Sequence, residues 1–266
     1  MIDYHVHLGS DKKTHFSFYQ KDLSERLDRY GLERAIVFSC PNVSVKNKNP
    51  FEDATFEDAN KLVLEASNGD KRLILFMLVH PFLDSPLYIE HNHCRFKGFK
   101  LYPKTFGMEY DYKSLEGDVI DILIETKKLI TFHTGYREGQ RIHDLIHFLE
   151  RASNPCLLAH SGDLIDYDLR LVKDLSNVII DVSPLSTMTQ KGFFVDSKYR
   201  DKKLKNLIID SILDYLFRLF GPERIIWGSD APWCDNLIEN GYKREIEVLR
   251  KMEERGFKPF LFKNDE

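Results

Sequence analysis

Met1-Ile-Asp-Tyr-His-Val-His-Leu8 opens the chain, and the way its residues alternate decides how the rest is read. In an extended strand successive side chains point to opposite faces. Asp3, His5 and His7 are therefore expected on one face, with Ile2, Tyr4, Val6 and Leu8 on the other. An apolar row backed by two imidazoles and a carboxylate makes a poor surface strand. It suits a strand packed against helices outside and facing a cation inside, because neutral imidazole is the commonest side-chain metal ligand. An isolated His-x-His more often marks a half-exposed edge strand, so the reading depends on the remainder of the chain.

Beyond Leu8, short apolar runs alternate with amphipathic helical stretches. After a polar loop, Gly9 to His15, a helix is expected through about Gly31. Further strands read at Ala35–Ser39, Leu73–Val79, Phe96–Leu101, Leu129–His133, Cys156–His160, Val178–Asp181 and Ile225–Ser229. Helical patterns lie between them, among others at Phe51–Asn68, Gly117–Lys128, Gly139–Ala152 and Leu204–Phe220. Leu73–Val79 is continuously apolar, the mark of a strand buried on both faces. This strand–helix rhythm predicts a (β/α)8 TIM barrel, one domain over residues 1–266, with its site at the C-terminal ends of the strands. A doubly wound open sheet is the alternative, but no Gly-x-Gly-x-x-Gly turn opens the first helix.

Composition narrows the function classes. Of the 266 residues, 42% are hydrophobic and 30% charged, ordinary for a soluble globular chain with a real core. A net charge of −4 without a basic run gives no nucleic-acid footprint and no attraction to an anionic membrane. No apolar stretch approaches the roughly 20 residues needed to span a bilayer. The histidine strand starts at the first Met, which leaves no expectation of a signal peptide. Cys40, Cys94, Cys156 and Cys234 are scattered, as in a reduced, cytoplasmic protein.

Read in order, the expected strand ends carry His5 and His7, then Lys100, His133, His160 and Asp230. Alternation places His133 with Thr131, His160 with Leu158 and Cys156, Asp230 with Gly228, and Lys100 with Gly98. The two glycines are expected to leave space beside a metal. Four of the ten histidines thus converge on one cavity, which scattered surface histidines would seldom do.

The motifs Asp3–Gly9, Lys97-Gly-Phe-Lys-Leu-Tyr-Pro103, Thr131-Phe-His-Thr-Gly135, Ala159-His-Ser-Gly162 and Gly228-Ser-Asp-Ala-Pro-Trp233 together resemble the amidohydrolase superfamily. The likeness is greatest to the amidohydrolase-related branch that includes aminocarboxymuconate-semialdehyde decarboxylase. It runs in the right order over almost the whole chain. The resemblance implies that His5, His7, His133 and Asp230 hold the metal, with His160 beside the metal-bound water. Three imidazoles and a carboxylate suit one divalent ion, Zn²⁺ foremost and also Mn²⁺, Ni²⁺ or Fe²⁺. Such an ion lowers the pKa of bound water from 15.7 to about 7. Asp230 is then expected to move the proton, and His160 to orient the water or stabilise the developing oxyanion.

Around that core, Lys100, Tyr102 at the cavity mouth and Arg137 are candidate substrate contacts, with Arg141 as a second carboxylate clamp. A carboxylated Lys100 bridging a second metal is the less favoured role. Asp3 reads equally as a partner behind the ligands or as a buried cap, and His80 as a pocket wall or the start of the Pro81 turn. His91-Asn-His-Cys94 and the His143/His147 pair are set aside as ligand-like but misplaced.

The expected activity is metal-dependent hydrolysis of a small, anionic carboxylate, lactone or amide metabolite. A non-oxidative decarboxylase using the same site is the alternative. A TatD-like nuclease is disfavoured, since such enzymes carry a glutamate where this chain has Lys100. A non-catalytic metal-binding barrel is disfavoured because His160 and Asp230 are both present. Ser183–Lys203 reads as a lid or as a loop folding onto a second copy in a homo-oligomer.

Overall fold

The structure, a computed structural model, describes residues 1–11, 16–40, 56–103, 110–191 and 205–258. The start of the helix expected from Phe51, and residues 192–203 of the expected lid, lie outside the described residues.

All eight expected strands form. In chain order they are β1 (Ile2–Asp11), β3 (Arg34–Ser39), β4 (Leu73–Leu78), β5 (Gly98–Leu101), β6 (Leu129–His133), β7 (Cys156–Ala159), β8 (Val178–Asp181) and β9 (Ile225–Ile226). They pair in parallel, each with the next, in one curled sheet. A ninth strand, β2 (Phe16–Phe18), runs antiparallel to the end of β1, with Gly9 opposite Phe18 and Ser10 opposite Ser17. The expected loop at Gly9–His15 is therefore partly a hairpin arm, and the first helix, α1, covers only Gln20–Tyr30 before Gly31 ends it at φ 68°.

The first and last parallel strands meet. Tyr4 N–H donates to Trp227 O (3.2 Å), Asp230 N–H to His5 O (2.9 Å) and His7 N–H to Ala231 O (2.7 Å). Val6 also bridges Ala231 in parallel. The result is a TIM-barrel-like α/β fold in which the chain's two ends share a seam. Helices such as α2 (Glu57–Gly69), α8 (Lys205–Phe220) and α10 (Gly241–Glu254) supply the outer layer. The strands read as apolar runs because they are covered on both sides: every residue of β4 is buried. The four cysteines are free thiols, three of them buried. Among the described residues no helix is long and apolar enough to cross a membrane.

Candidate metal centre

Strict alternation fails in β1, and the failure matters. Asp3 pairs with Ala35 and Val6 with Val37, so β1 spends three steps where β3 spends two. Such a bulge re-aims the side chains around it. His7 is the ladder partner of Phe38, whereas Asp3 is the partner of Ala35, an odd number of residues away on β3. Paired residues share a face, so Asp3 lies opposite to His7 rather than beside it. Asp3 faces the helix layer, where its Oδ2 accepts a hydrogen bond from Tyr242 Oη on α10 (2.9 Å). Its Oδ1 accepts from Ser229 N (2.9 Å) and His5 N (3.2 Å). The cap is the role it plays: it fastens the seam. Burial raises its pKa to about 6 despite those donors.

Inside the seam, His5 is wholly buried between two carboxylates. Its Nδ1 lies 2.7 Å from Asp181 Oδ2, and its Nε2 lies 3.4 Å from Asp230 Oδ1. A close approach of backbones makes this possible. A Cβ on Gly228 would stand 2.5 Å from His5 Cβ, and one on Gly98 would stand 2.5 Å from the Phe76 ring. The two glycines thus admit neighbouring side chains; they do not leave open space beside an ion. His7 Nε2 lies 3.0 Å from Asp230 Oδ1, and its Nδ1 lies 2.9 Å from Tyr102 Oη. Tyr102 does not stand at the cavity mouth, the place expected for it, but is fully buried against His7.

His160 reaches the site by another route. In the β6–β7 ladder Thr131 pairs with Leu157 and His133 with Ala159, so β7 turns Leu157 and Ala159 inward. Alternation alone would point His160 outward, contrary to the reading from Cys156 and Leu158. At His160 the chain instead leaves the strand in a left-handed turn, with φ of 62°, 50°, 56°, 53° and 58° from His160 to Leu164. For residues other than glycine each such step costs about 1–2 kcal/mol. Local bonds hold it. Thr134 Oγ1 accepts from Gly162 N (3.1 Å) and donates to Ala159 O; Ser161 Oγ donates to Asp181 O (3.0 Å); Tyr136 N donates to Asp163 Oδ2 (2.8 Å). The imidazole of His160 then donates from Nδ1 to Ser183 O (2.8 Å) and presents Nε2 to His133 Nδ1 at 3.0 Å.

Ligand atoms of His5, His160 and Asp230 lie within 4.8 Å of one another, close enough to share one ion. His7 joins through Asp230 and His133 through His160. The residues fit a cation for a specific reason. Asp181 accepts the Nδ1 proton of His5, which leaves a lone pair on Nε2. That atom is buried without a hydrogen-bond partner among the described residues, and it faces an Asp230 oxygen. Two electron-rich atoms this close, out of water, call for a proton or a metal between them. Burial drives the basicity of His5, His7, His133 and His160 down, with Lys100 adding to each. It raises Asp181 and Asp230. Neutral imidazoles are the form a metal takes.

Asp181 and Ser183 were missed in the sequence, although Asp181 closes a recognised strand. Ser183 donates from N (2.8 Å) and Oγ (2.6 Å) to the two Asp181 oxygens, fixing the carboxylate that orients His5. Lys100 is fully buried, and its Nζ makes no hydrogen bond among the described residues; it lies 4.7 Å from both the Phe38 and Tyr102 ring centres. Burial pulls its pKa down to about 7. Arg137 is exposed at the rim beyond His133. Arg141 is no free clamp: Nε and Nη2 engage Asp168 at 3.1 and 2.8 Å. Of the decoys, His143 pairs with Asp144 (3.0 Å), His147 is exposed, and Cys94 lies exposed after the helix carrying His91.

This fold has counterparts. A sequence model of the amidohydrolase family matches residues 2–255, and the chain belongs to that family. A search of curated proteins finds no match. Among solved structures, an amidohydrolase from Burkholderia multivorans with bound zinc superposes at TM-score 0.70 and 17% identity, covering 97% of this chain and 92% of that one. A probable 2-pyrone-4,6-dicarboxylic acid hydrolase from Acinetobacter baumannii with citric acid bound gives 0.65 and 16%, covering 95% and 91%. A 5-carboxyvanillate decarboxylase from Novosphingobium aromaticivorans, complexed with manganese and a nitrobenzoic acid, gives 0.58 and 12%, covering 95% and 92%. Both hydrolases and decarboxylases thus share the fold.

Proposed function

We propose that this chain is a metal-dependent hydrolase of a small carboxylate, lactone or amide metabolite. The observation that carries the reading is the unpartnered His5 Nε2 facing Asp230 inside a ring of neutral histidines. A single divalent ion, zinc first, would be held by His5, His7, His133 and Asp230. When bound it would supply Lewis acidity and make hydroxide available near neutral pH. Asp181 keeps His5 in one tautomer, and Tyr102 orients His7. Asp230 stands where it can take a proton from water and return it to the leaving group. His160, held by the Ser183 carbonyl, aims Nε2 at the same point. Lys100 is the cation best placed to meet a substrate anion in the chamber, with Arg137 at the rim.

The decarboxylase likeness supports a second reading equally: the same site, with the metal and His160 promoting protonation of the substrate carbon before CO₂ leaves. Metal analysis tests the shared part. Protein purified without chelator should carry about one divalent ion per chain, and a His5→Ala/His7→Ala double variant should lose it. Full occupancy in the double variant refutes the assignment; about two ions per chain moves Lys100 into a bridging role. A panel of lactones, amides and aromatic carboxylates, followed by acid release and by CO₂ release, separates the two reactions.

A further inference from the structure

His80 stands two residues beyond the end of β4, and the histidine–carboxylate cluster does not use it. On β4, Phe76 and Leu78 pair with Gly98 and Lys100, so His80 continues the inward series. Val79 N–H still bonds Lys100 O (3.0 Å), which keeps the strand in register up to that point. Beyond it the chain turns, and the turn is wound around the His80 ring. Nδ1 accepts from Phe82 N (3.2 Å) and from Leu83 N (3.1 Å). A ring nitrogen that accepts two N–H groups carries no proton, so in the neutral ring the hydrogen resides on Nε2.

The seat is equally fixed. His80 N donates to Asp84 Oδ2 (2.7 Å), and Asp84 Oδ1 accepts from Phe56 N (3.2 Å) at the entry to α2. The Tyr110 ring stands 4.8 Å away at 72°, and the Phe56 ring 6.2 Å away. Burial lowers the His80 pKa to about 4, so the ring stays neutral at ordinary assay pH. Nε2 has no hydrogen-bond partner among the described residues, although the side chain is only 5% exposed. One nitrogen is held by the fold, and the other is a fixed donor that no described residue accepts from. A turn that needed only an acceptor would be served by Asn or Asp.

We infer that His80 is a substrate-recognition residue, whose Nε2–H donates a hydrogen bond to an acceptor-only oxygen, a carboxylate or a lactone carbonyl, of the ligand held at the metal centre. The inference rests on the proposed hydrolase or decarboxylase site for its ligand. It also adds a selectivity rule. A donor that cannot change tautomer favours oxygen acceptors and penalises analogues lacking them, because the N–H is then left unpaired.

The test separates the turn from the donor. In His80→Asn the side-chain carbonyl can still accept from the Phe82 and Leu83 N–H groups, but no donor reaches the Nε2 position. Histidine ¹⁵N spectra of the metal-loaded protein are expected to show His80 with Nδ1 bare and Nε2 protonated. Titration with the dicarboxylate glutarate should shift that Nε2–H signal. His80→Asn should weaken glutarate binding by roughly 10- to 100-fold, the worth of one charge-assisted hydrogen bond, with melting temperature and metal content unchanged. A protonated Nδ1, an Nε2–H signal indifferent to glutarate, or wild-type glutarate affinity in His80→Asn each overturns the inference. Protein that binds no metal but still shows the glutarate response at His80 overturns the metal reading alone.

Discussion

His5, His7 and Asp230 stand where a strand seam puts them, whereas His160 stands where a left-handed turn puts it. On the seam side Asp230 too holds a positive φ (54°), but it stands singly and is fastened by several bonds: backbone bonds join β1 to residues 227–231, and Asp3 ties His5 N and Ser229 N to α10. On the other side five consecutive residues hold positive φ, and only Gly162 among them does so without cost. The first arrangement suits ligands, whose distances must not vary. The second delivers a side chain that a regular strand would point away from the site. It does so through bonds to Thr134, Ser183 and Asp181 that can be broken one at a time.

If that contrast is functional, the two histidines facing each other at 3.0 Å should respond differently. His160→Asn is expected to keep most of its metal while kcat falls by roughly 10²–10⁴-fold, the range for a positioned acid–base group. His133→Asn should lose metal and activity together. Because His160 also belongs to the tight group with His5 and Asp230, metal analysis of the two purified variants is decisive. Loss from His160→Asn with retention in His133→Asn exchanges their roles.

A smaller effect is expected behind the seam. Asp181→Ala removes the acceptor that holds the His5 proton on Nδ1. Metal affinity should drop by about 10- to 100-fold, as for partners of other ligating histidines, measured by competition with a chelator. Unchanged affinity would mean that the His5 tautomer is set elsewhere.

The smallest effect belongs to the turn. Gly162→Ala forces φ 56° on a residue with a Cβ and brings that atom 2.6 Å from Ile142 Cδ1. The backbone term alone is about 1–2 kcal/mol, and the flexible Ile142 tip can absorb part of the clash. Urea unfolding should show that loss, with metal content intact. A variant as stable as wild type would show that the turn is not held under strain.

How much of the molecule was written in the sequence depends on the range of the forces involved. Eight strands and their order were legible because a strand covered on both faces must be apolar along its length, a local property. The meeting of His5 and His7 with Asp230 comes from the same rhythm, since a closed ring makes its first and last strands neighbours. The bulge in β1 is different. Nothing in Tyr4 or His5 announces it; it arises from pairing with β3, and it sends Asp3 to the helix layer. His160 was found for a reason that does not hold, because its inward aim comes from the turn and not from alternation. Asp181 looked like the end of an apolar run until His5, 176 residues away, supplied its partner. Likewise Arg141 read as a free cation until Asp168 took it, and Tyr102 as a rim residue until His7 covered its hydroxyl. The sequence by itself determined which residues stand at the strand ends, because periodicity acts over a few residues. Only the tertiary structure decided where those side chains point and what each one touches, because register, left-handed backbone and buried hydrogen bonds are settled between segments that are remote in the chain.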